Sequence, residues 1–148
     1  YTSQIEFGET ERLLQEVIRP GWDRFVGFAW EELARRHVYQ LAAQHRIPFW
    51  PEEVGSWWSA KAQVDVVAVQ RERRSALIGE ARWRRQPMTM VDLTTLQTKA
   101  RDWLGDERGW DLWFALFSCD GFSADLKAQA AKDSHLLLLT PTDLVGKP

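Results

Sequence analysis

Two acids interrupt apolar runs where a carboxylate is out of place. Asp65 lies in Gln63-Val64-Asp65-Val66-Val67-Ala68-Val69, and Glu80 lies in Ala76-Leu77-Ile78-Gly79-Glu80-Ala81-Arg82-Trp83. A carboxylate buried in a sheet is costly unless a metal ion or a cationic side chain meets it. The two runs read as adjacent β-strands joined by the polar turn Gln70-Arg71-Glu72-Arg73-Arg74-Ser75, so the acids belong to neighbouring strands. Strand alternation puts Ile78, Glu80 and Arg82 on one face and Leu77, Gly79, Ala81 and Trp83 on the other, which aims a cation the same way as the second acid. Paired carboxylates beside a cation are one solution to phosphodiester hydrolysis. The acids hold a divalent ion, Mg2+ or Mn2+, that takes oxygen ligands and keeps several waters. The ion polarises the phosphate, and the cationic side chain orients water or offsets developing charge.

A third carboxylate from a helix often completes such a set, and the helix expected from Trp22 to about His45 carries Glu31 and Glu32. Its apolar stripe is Trp22, Val26, Ala29, Trp30, Leu33, His37 and Leu41. The plainer reading of the acids is a solvated face with i,i+4 pairs Glu31–Arg35 and Glu32–Arg36. Further arginines crowd the hairpin and its exit, and Arg73, Arg74, Arg84 and Arg85 are the candidate contacts to a nucleic-acid backbone.

The elements that must position these residues follow from pattern. Glu9 to Arg19 has helical spacing and stops at Pro20-Gly21, which reads as a short helix followed by a break. Residues 1–20 are accordingly a helical linker or the tail of a preceding domain, and 21–148 one domain. The prolines of Ile47 to Trp58 allow only an edge strand, entering near Val54. In the next strand Gln63, Asp65, Val67 and Val69 alternate against Val64, Val66 and Ala68. Thr89 to Leu104 is helical, Leu112 to Ser118 a strand buried on both faces, Ser123 to Lys132 a short helix and Leu136 to Thr140 a last strand. The order α, β, β, β, α, β, α, β describes a mixed sheet between helical layers.

Composition narrows the field. The chain has 148 residues, 45% hydrophobic and 27% charged, enough for one folded domain with a real core. No apolar run nears the roughly 20 residues of a membrane helix and no secretory leader opens the sequence, so no membrane partner and a cytoplasmic location are expected. Tyr1 in the place of Met is what a fragment of a longer protein shows. The single cysteine, Cys119, rules out an internal disulfide framework and a cysteine-rich zinc site, and reads as a packed thiol. His37, His45 and His135 lack ligand spacing. A net charge of −2 argues against a protein that clamps a long duplex with its whole surface. Aromatic side chains can stack nucleobases, but most of the nine tryptophans fall in apolar patterns and are expected in the core, with Trp57, Trp58 and Trp83 the ones near the acids.

Taken together, Gly27-Phe28-Ala29-Trp30-Glu31, Val54-Gly55-Ser56-Trp57-Trp58, Gln63-Val64-Asp65-Val66-Val67-Ala68 and Gly79-Glu80-Ala81-Arg82-Trp83 resemble the motifs of the PD-(D/E)XK nucleases, over most of Gly21 to Val145. In particular they are similar to the nuclease-like domain at the C-terminus of prokaryotic AAA-type ATPases. The resemblance implies an α/β class, a restriction-endonuclease-like α/β/α sandwich with a central mixed sheet. It implies that Asp65 and Glu80 are metal ligands and that Glu31 is the helical acid, although helix phase alone leaves Glu32 open. Arg82 stands where the family carries a catalytic lysine, and Gln63 where relatives often carry another acid. Two functions follow from the resemblance: a metal-dependent deoxyribonuclease attached to an ATPase, or a nuclease-fold module without catalysis that binds DNA or protein and regulates that ATPase. A structural dimerisation domain, a homo-oligomer with its acids salt-bridged to arginines, is the third reading.

Overall fold

The paired apolar runs form the middle of a five-stranded sheet. The computed structural model describes residues 19–145. Helix α1 (Arg19–Ala43) is followed by β1 (Glu53–Trp58), β2 (Gln63–Gln70) and β3 (Ser75–Arg82), then α2 (Met90–Leu104), β4 (Asp111–Ser118), α3 (Ala124–Lys132), β5 (Leu136–Leu139) and α4 (Pro141–Val145). The strands lie in chain order, β1-β2-β3-β4-β5. β1, β2 and β3 pair antiparallel because tight turns join them, while β3, β4 and β5 run parallel because α2 and α3 carry the chain back between them.

Each face of the sheet has its own core. Trp30, Ala34, Val38 and Leu41 of α1 pack on Val66, Ala68, Leu77 and Phe117. Leu93, Leu96 and Ala100 of α2 and Leu126 of α3 pack on Val67, Val69, Ile78 and Leu116. Strands covered on both faces read as continuous apolar runs, which is why β3 and β4 lack alternation. The result is the expected α/β/α sandwich with a central mixed sheet. Gly79 permits the tight middle: a Cβ there would lie 3.0 Å from Val66 Cβ, 3.2 Å from Phe117 Cε1 and 3.3 Å from the Ala115 carbonyl.

α2 starts on a capping box, with the Val91 N–H donating to Thr89 Oγ1 (3.3 Å) and the Thr89 N–H to Asp92 (2.8 Å). It stops at Gly105, whose φ of 63° suits a residue without a Cβ.

Four expectations need correction. The helix expected over Glu9 to Arg19 lies outside the described residues except for Arg19, and no break follows: Pro20 and Gly21 are inside α1. The first turn tolerates proline because its missing N–H has no helical acceptor to serve there. The buried stripe of α1 starts only at Trp30, with Ala34, His37, Val38 and Leu41; Trp22 precedes this stripe, and Ala29 and Leu33 fall outside it by helix phase and are exposed. Only Trp30 and Trp113 of the nine tryptophans are buried, while Trp22, Trp50, Trp58 and Trp83 are exposed. Trp58 ends an edge strand, and Trp83 follows the last residue of β3 with only one face backed, by Trp30. Last, the alternation of β2 fails near Asp65. The β1–β2 register shifts between Gly55 and Trp57, and Val64 joins Val67 and Val69 on the α2 side instead of opposing them. Such a bulge inserts an extra residue and re-aims the side chains beside it.

Candidate active site

The bulge decides where Asp65 goes. The β2–β3 ladder pairs Val66 with Gly79 and runs to Gln70 and Ser75. One step beyond Val66, the Asp65 side chain takes over, its Oδ2 accepting the Ala81 N–H at 3.0 Å. The backbone carbonyl of Asp65 accepts from Arg35 Nη1 of α1 at 2.9 Å, which ties the helix to this end of the sheet. Asp65 is 7% exposed and Glu80, on the neighbouring strand, 4%.

The carboxyl of Glu31 reaches that of Asp65 from α1, and Asp65 is also in hydrogen-bonding reach of Glu80. Three carboxyls therefore share one small space, a cavity of about 370 Å³ that Arg82 and Lys99 also line. Arg82 Nη2 lies 2.5 Å from Glu80 Oε2, and Lys99 Nζ 3.5 Å from Glu80 Oε1. Burial, then the Asp65 charge, push the Glu80 carboxyl up to about 7, against the pull of Arg82 and Lys99. Burial, then the hydrogen bond with Asp65, raise Glu31 to about 7 as well. Crowded acids with raised pKa values retain a proton near neutrality, and a divalent cation would displace it.

Helix phase left two acids open, and the structure separates them. Glu32 is exposed and takes both helical arginines, Arg35 at 3.1 Å and Arg36 at 3.2 Å. The expected pair Glu31–Arg35 does not form as an ion pair, and Glu31 turns to the cavity instead. Arg35 bridges the two roles, with Nε and Nη2 on Glu32 and Nη1 on the Asp65 carbonyl.

Lys99 is the site residue that the pattern reading missed. Its signal was there: it sits three residues after Leu96 and four before Trp103 on α2, a cation within an apolar stripe. The arginine patch, by contrast, divides. Arg84 and Arg85 follow β3 close to the cavity. Arg73 and Arg74 lie at the opposite end of the hairpin, beyond Ser75, which is itself about 16 Å along the strand from Glu80 at ~3.3 Å per residue. There they donate to the carbonyls of Pro48 (3.2 Å) and Arg108 (2.7 Å). Cys119 is half-buried, its thiol 3.1 Å from the Arg84 carbonyl, and so holds the exit of β3. His37 is buried on the inner face of α1, and His135 pairs with Asp111 at 2.8 Å.

Among the described residues no group of three or more His, Cys, Asp or Glu side chains is arranged to hold a metal ion. The oxygen pair of Asp65 and Glu80 nonetheless has the right chemistry for magnesium, which is commonly held by one or two carboxylates and the phosphates of its substrate. Arg82 Nε is buried in this cluster without an acceptor.

The fold and site define an α/β/α sandwich with an acidic, cation-lined cavity at one end of its sheet. Residues 1–100 match DUF234, described as archaeal and bacterial proteins of unknown function, and the chain belongs to this family. It is 26% identical over 69 residues to MJECL04, an uncharacterised protein of Methanocaldococcus jannaschii; the match covers 47% of this chain and 16% of that protein. The chain thus corresponds to a small part of that relative. The crystal structure of a repair endonuclease from Pyrococcus abyssi aligns with 72% of this chain and 45% of that one, with a TM-score of 0.41 and 15% identity. Among the described residues no helix is long and apolar enough to cross a membrane.

Proposed function

We propose that the chain is a metal-dependent deoxyribonuclease domain that hydrolyses phosphodiester bonds and is carried by a larger protein with an ATPase domain. One observation carries the reading: a helical acid, two strand acids and two cations from four separate elements line a single cavity. Asp65 and Glu80 would hold Mg2+ or Mn2+, which supplies charge to polarise the phosphate and acidify water. Glu31, with its pKa near 7, accepts or returns a proton at the edge of the cavity. Arg82 presents a planar guanidinium suited to a phosphoryl oxygen but a poor proton acceptor. Lys99 offers the compact ammonium that Arg82 does not, and positions water or the leaving oxygen from the α2 side.

The test is nicking of supercoiled plasmid with Mg2+ or Mn2+ by the wild type, D65A and E80A. Metal-dependent cleavage in the wild type that both variants lose supports the reading, and no cleavage with any divalent metal sinks it. A second reading, a module without catalysis that binds DNA or protein, is supported by the 2.5 Å contact of Arg82 with Glu80, which pairs a cation with one of the acids that would otherwise be open to a metal. On that reading only Arg82→Lys gives a cutting protein.

A further inference from the structure

The cavity is flanked by two grooves that differ in charge. On one side a groove of about 640 Å³ runs between the β1–β2 turn and α2, bordered by Lys61, Thr95, Thr98, Lys99 and Arg101. Lys99 also lines the carboxylate cavity, so the two spaces adjoin at this side chain. The acid on this border, Asp102, accepts a hydrogen bond from Ser59 Oγ at 3.2 Å. Lys61 and Arg101 form no ion pair among the described residues. Free cations beside hydroxyl groups favour phosphate oxygens.

On the other side a groove of about 1010 Å³ is lined by Trp22, Val26, Trp83, Arg84 and Arg85. α1 joins it to the cavity, since Gly27 and Glu31 line the one and Trp22 and Val26 the other. Trp22 is 61% exposed with its ring stacked on Phe25, centroids 5.7 Å apart. Trp83 is 41% exposed and backed by Trp30 at 5.6 Å. Asp23 and Asp120 share this wall, where they repel phosphate but accept from base amino groups. Exposed, supported aromatic rings are the feature on which unpaired bases stack.

We propose that this end of the sheet is a platform for single-stranded nucleic acid: phosphates follow the Lys61–Lys99–Arg101 groove into the carboxylate cavity, and unpaired bases stack on Trp83 and Trp22 beyond it. A strand is favoured over a duplex by number. Tight duplex binders neutralise about 6–10 phosphates. The cations here that form no ion pair among the described residues are Lys61, Arg101 and Arg85, in a chain of net charge −2. The platform rests on the nuclease reading only for the statement that the bound strand is the one cut.

Fluorescence anisotropy with labelled dT20 and a 20-base-pair duplex, in EDTA so that nothing is cleaved, tests it with the 148-residue chain. dT20 should bind at least about tenfold more tightly than the duplex. Lys61→Gln with Arg101→Gln should lower the slope of log affinity against log salt by about 1.4, at ~0.7 per phosphate contact on a single strand. Trp22→Ala should weaken dT20 binding roughly tenfold with the slope unchanged, and Trp22→Phe should restore most of it. Trp83→Phe, which keeps a ring against Trp30, should weaken it less. Equal affinity for duplex and strand, a salt slope indifferent to Lys61 and Arg101, or wild-type binding by Trp22→Ala would each overturn the proposal, the last by showing that the aromatic groove serves another partner. The two readings fail separately. Strand binding of this kind without any cleavage removes the nuclease and keeps the platform, whereas cleavage of duplex that ignores Trp22 does the reverse.

Discussion

The two ends of the β2–β3 hairpin carry the same residue types and treat them in opposite ways. At the turn, Arg73 and Arg74 donate to the carbonyls of Pro48 and Arg108, Arg71 lies 3.5 Å from Glu53, and no carboxylate is buried. At the far end Asp65 and Glu80 are buried together, Glu31 joins them from α1, and Arg82 keeps a buried Nε without an acceptor. Gln70 Oε1 at the turn end also lacks a donor, but it is neutral and costs less to leave unmet than a guanidinium N–H. The comparison separates charge that secures the scaffold from charge the scaffold holds under tension. Cations meeting backbone carbonyls fix a turn, whereas acids held close enough to share protons favour a cation from outside.

Substitutions at the two ends should therefore diverge most in cleavage. Asp65→Ala or Glu80→Ala is expected to reduce plasmid nicking by roughly 10³-fold, the scale on which preorganised charge acts. Arg73→Gln with Arg74→Gln should leave nicking within about twofold; a comparable loss there would erase the distinction. Lys99→Ala should cost about 10²-fold at unchanged melting temperature, in the range of positioned proton-handling groups. A wild-type rate for that variant would leave Arg82 as the working cation.

Stability should sharpen the same contrast. Gly79→Ala forces a Cβ against Val66 Cβ and the Ala115 carbonyl, and should cost about 1–3 kcal/mol, read as a lower melting temperature. The acids act in the pH dependence. Glu31 and Glu80 keep their protons to about 7 in the folded chain, against 4.5 without its surroundings. The folded state then binds more protons than the unfolded between these values, so stability falls as pH rises from about 4.5 to about 7. Glu80→Gln should flatten that decline, whose limit is about 1.4 kcal/mol per pH unit for one group. Melting curves at pH 5 and pH 7.5 measure it. A decline of equal steepness in Glu80→Gln would place its origin elsewhere.

Much of this site was legible in the sequence, because an acid inside an apolar strand stands out whatever the fold. Asp65 and Glu80 are neighbours as the pattern required, with Arg82 beside Glu80. The sheet and its two helical layers were legible for the same reason, since doubly covered strands lose their alternation. What was not legible depends on geometry between elements. The bulge opposite Ser56 shifts Asp65 off a simple alternation, and only the partner strand shows it. The choice between Glu31 and Glu32 rests on both arginines turning to Glu32, a matter of rotamers and not of helix phase. Lys99 is distant in sequence from the acids and reaches them because the β3–α2–β4 crossover lays α2 over β3. The exposure of Trp58 and Trp83 depends on where their strands end, Trp58 being the last residue of β1 and Trp83 the first after β3.

Whether the acid end takes up a divalent cation is the most direct test of this account. Thermal unfolding of the chain at pH 7.5 with increasing Mn2+ measures it without reference to cleavage. The wild type should show a saturable rise in melting temperature that Asp65→Asn with Glu80→Gln abolishes and that Arg73→Gln with Arg74→Gln leaves intact. A wild type indifferent to Mn2+, or a rise that persists in the doubly substituted acid variant, would contradict the claim that these carboxylates form a metal site.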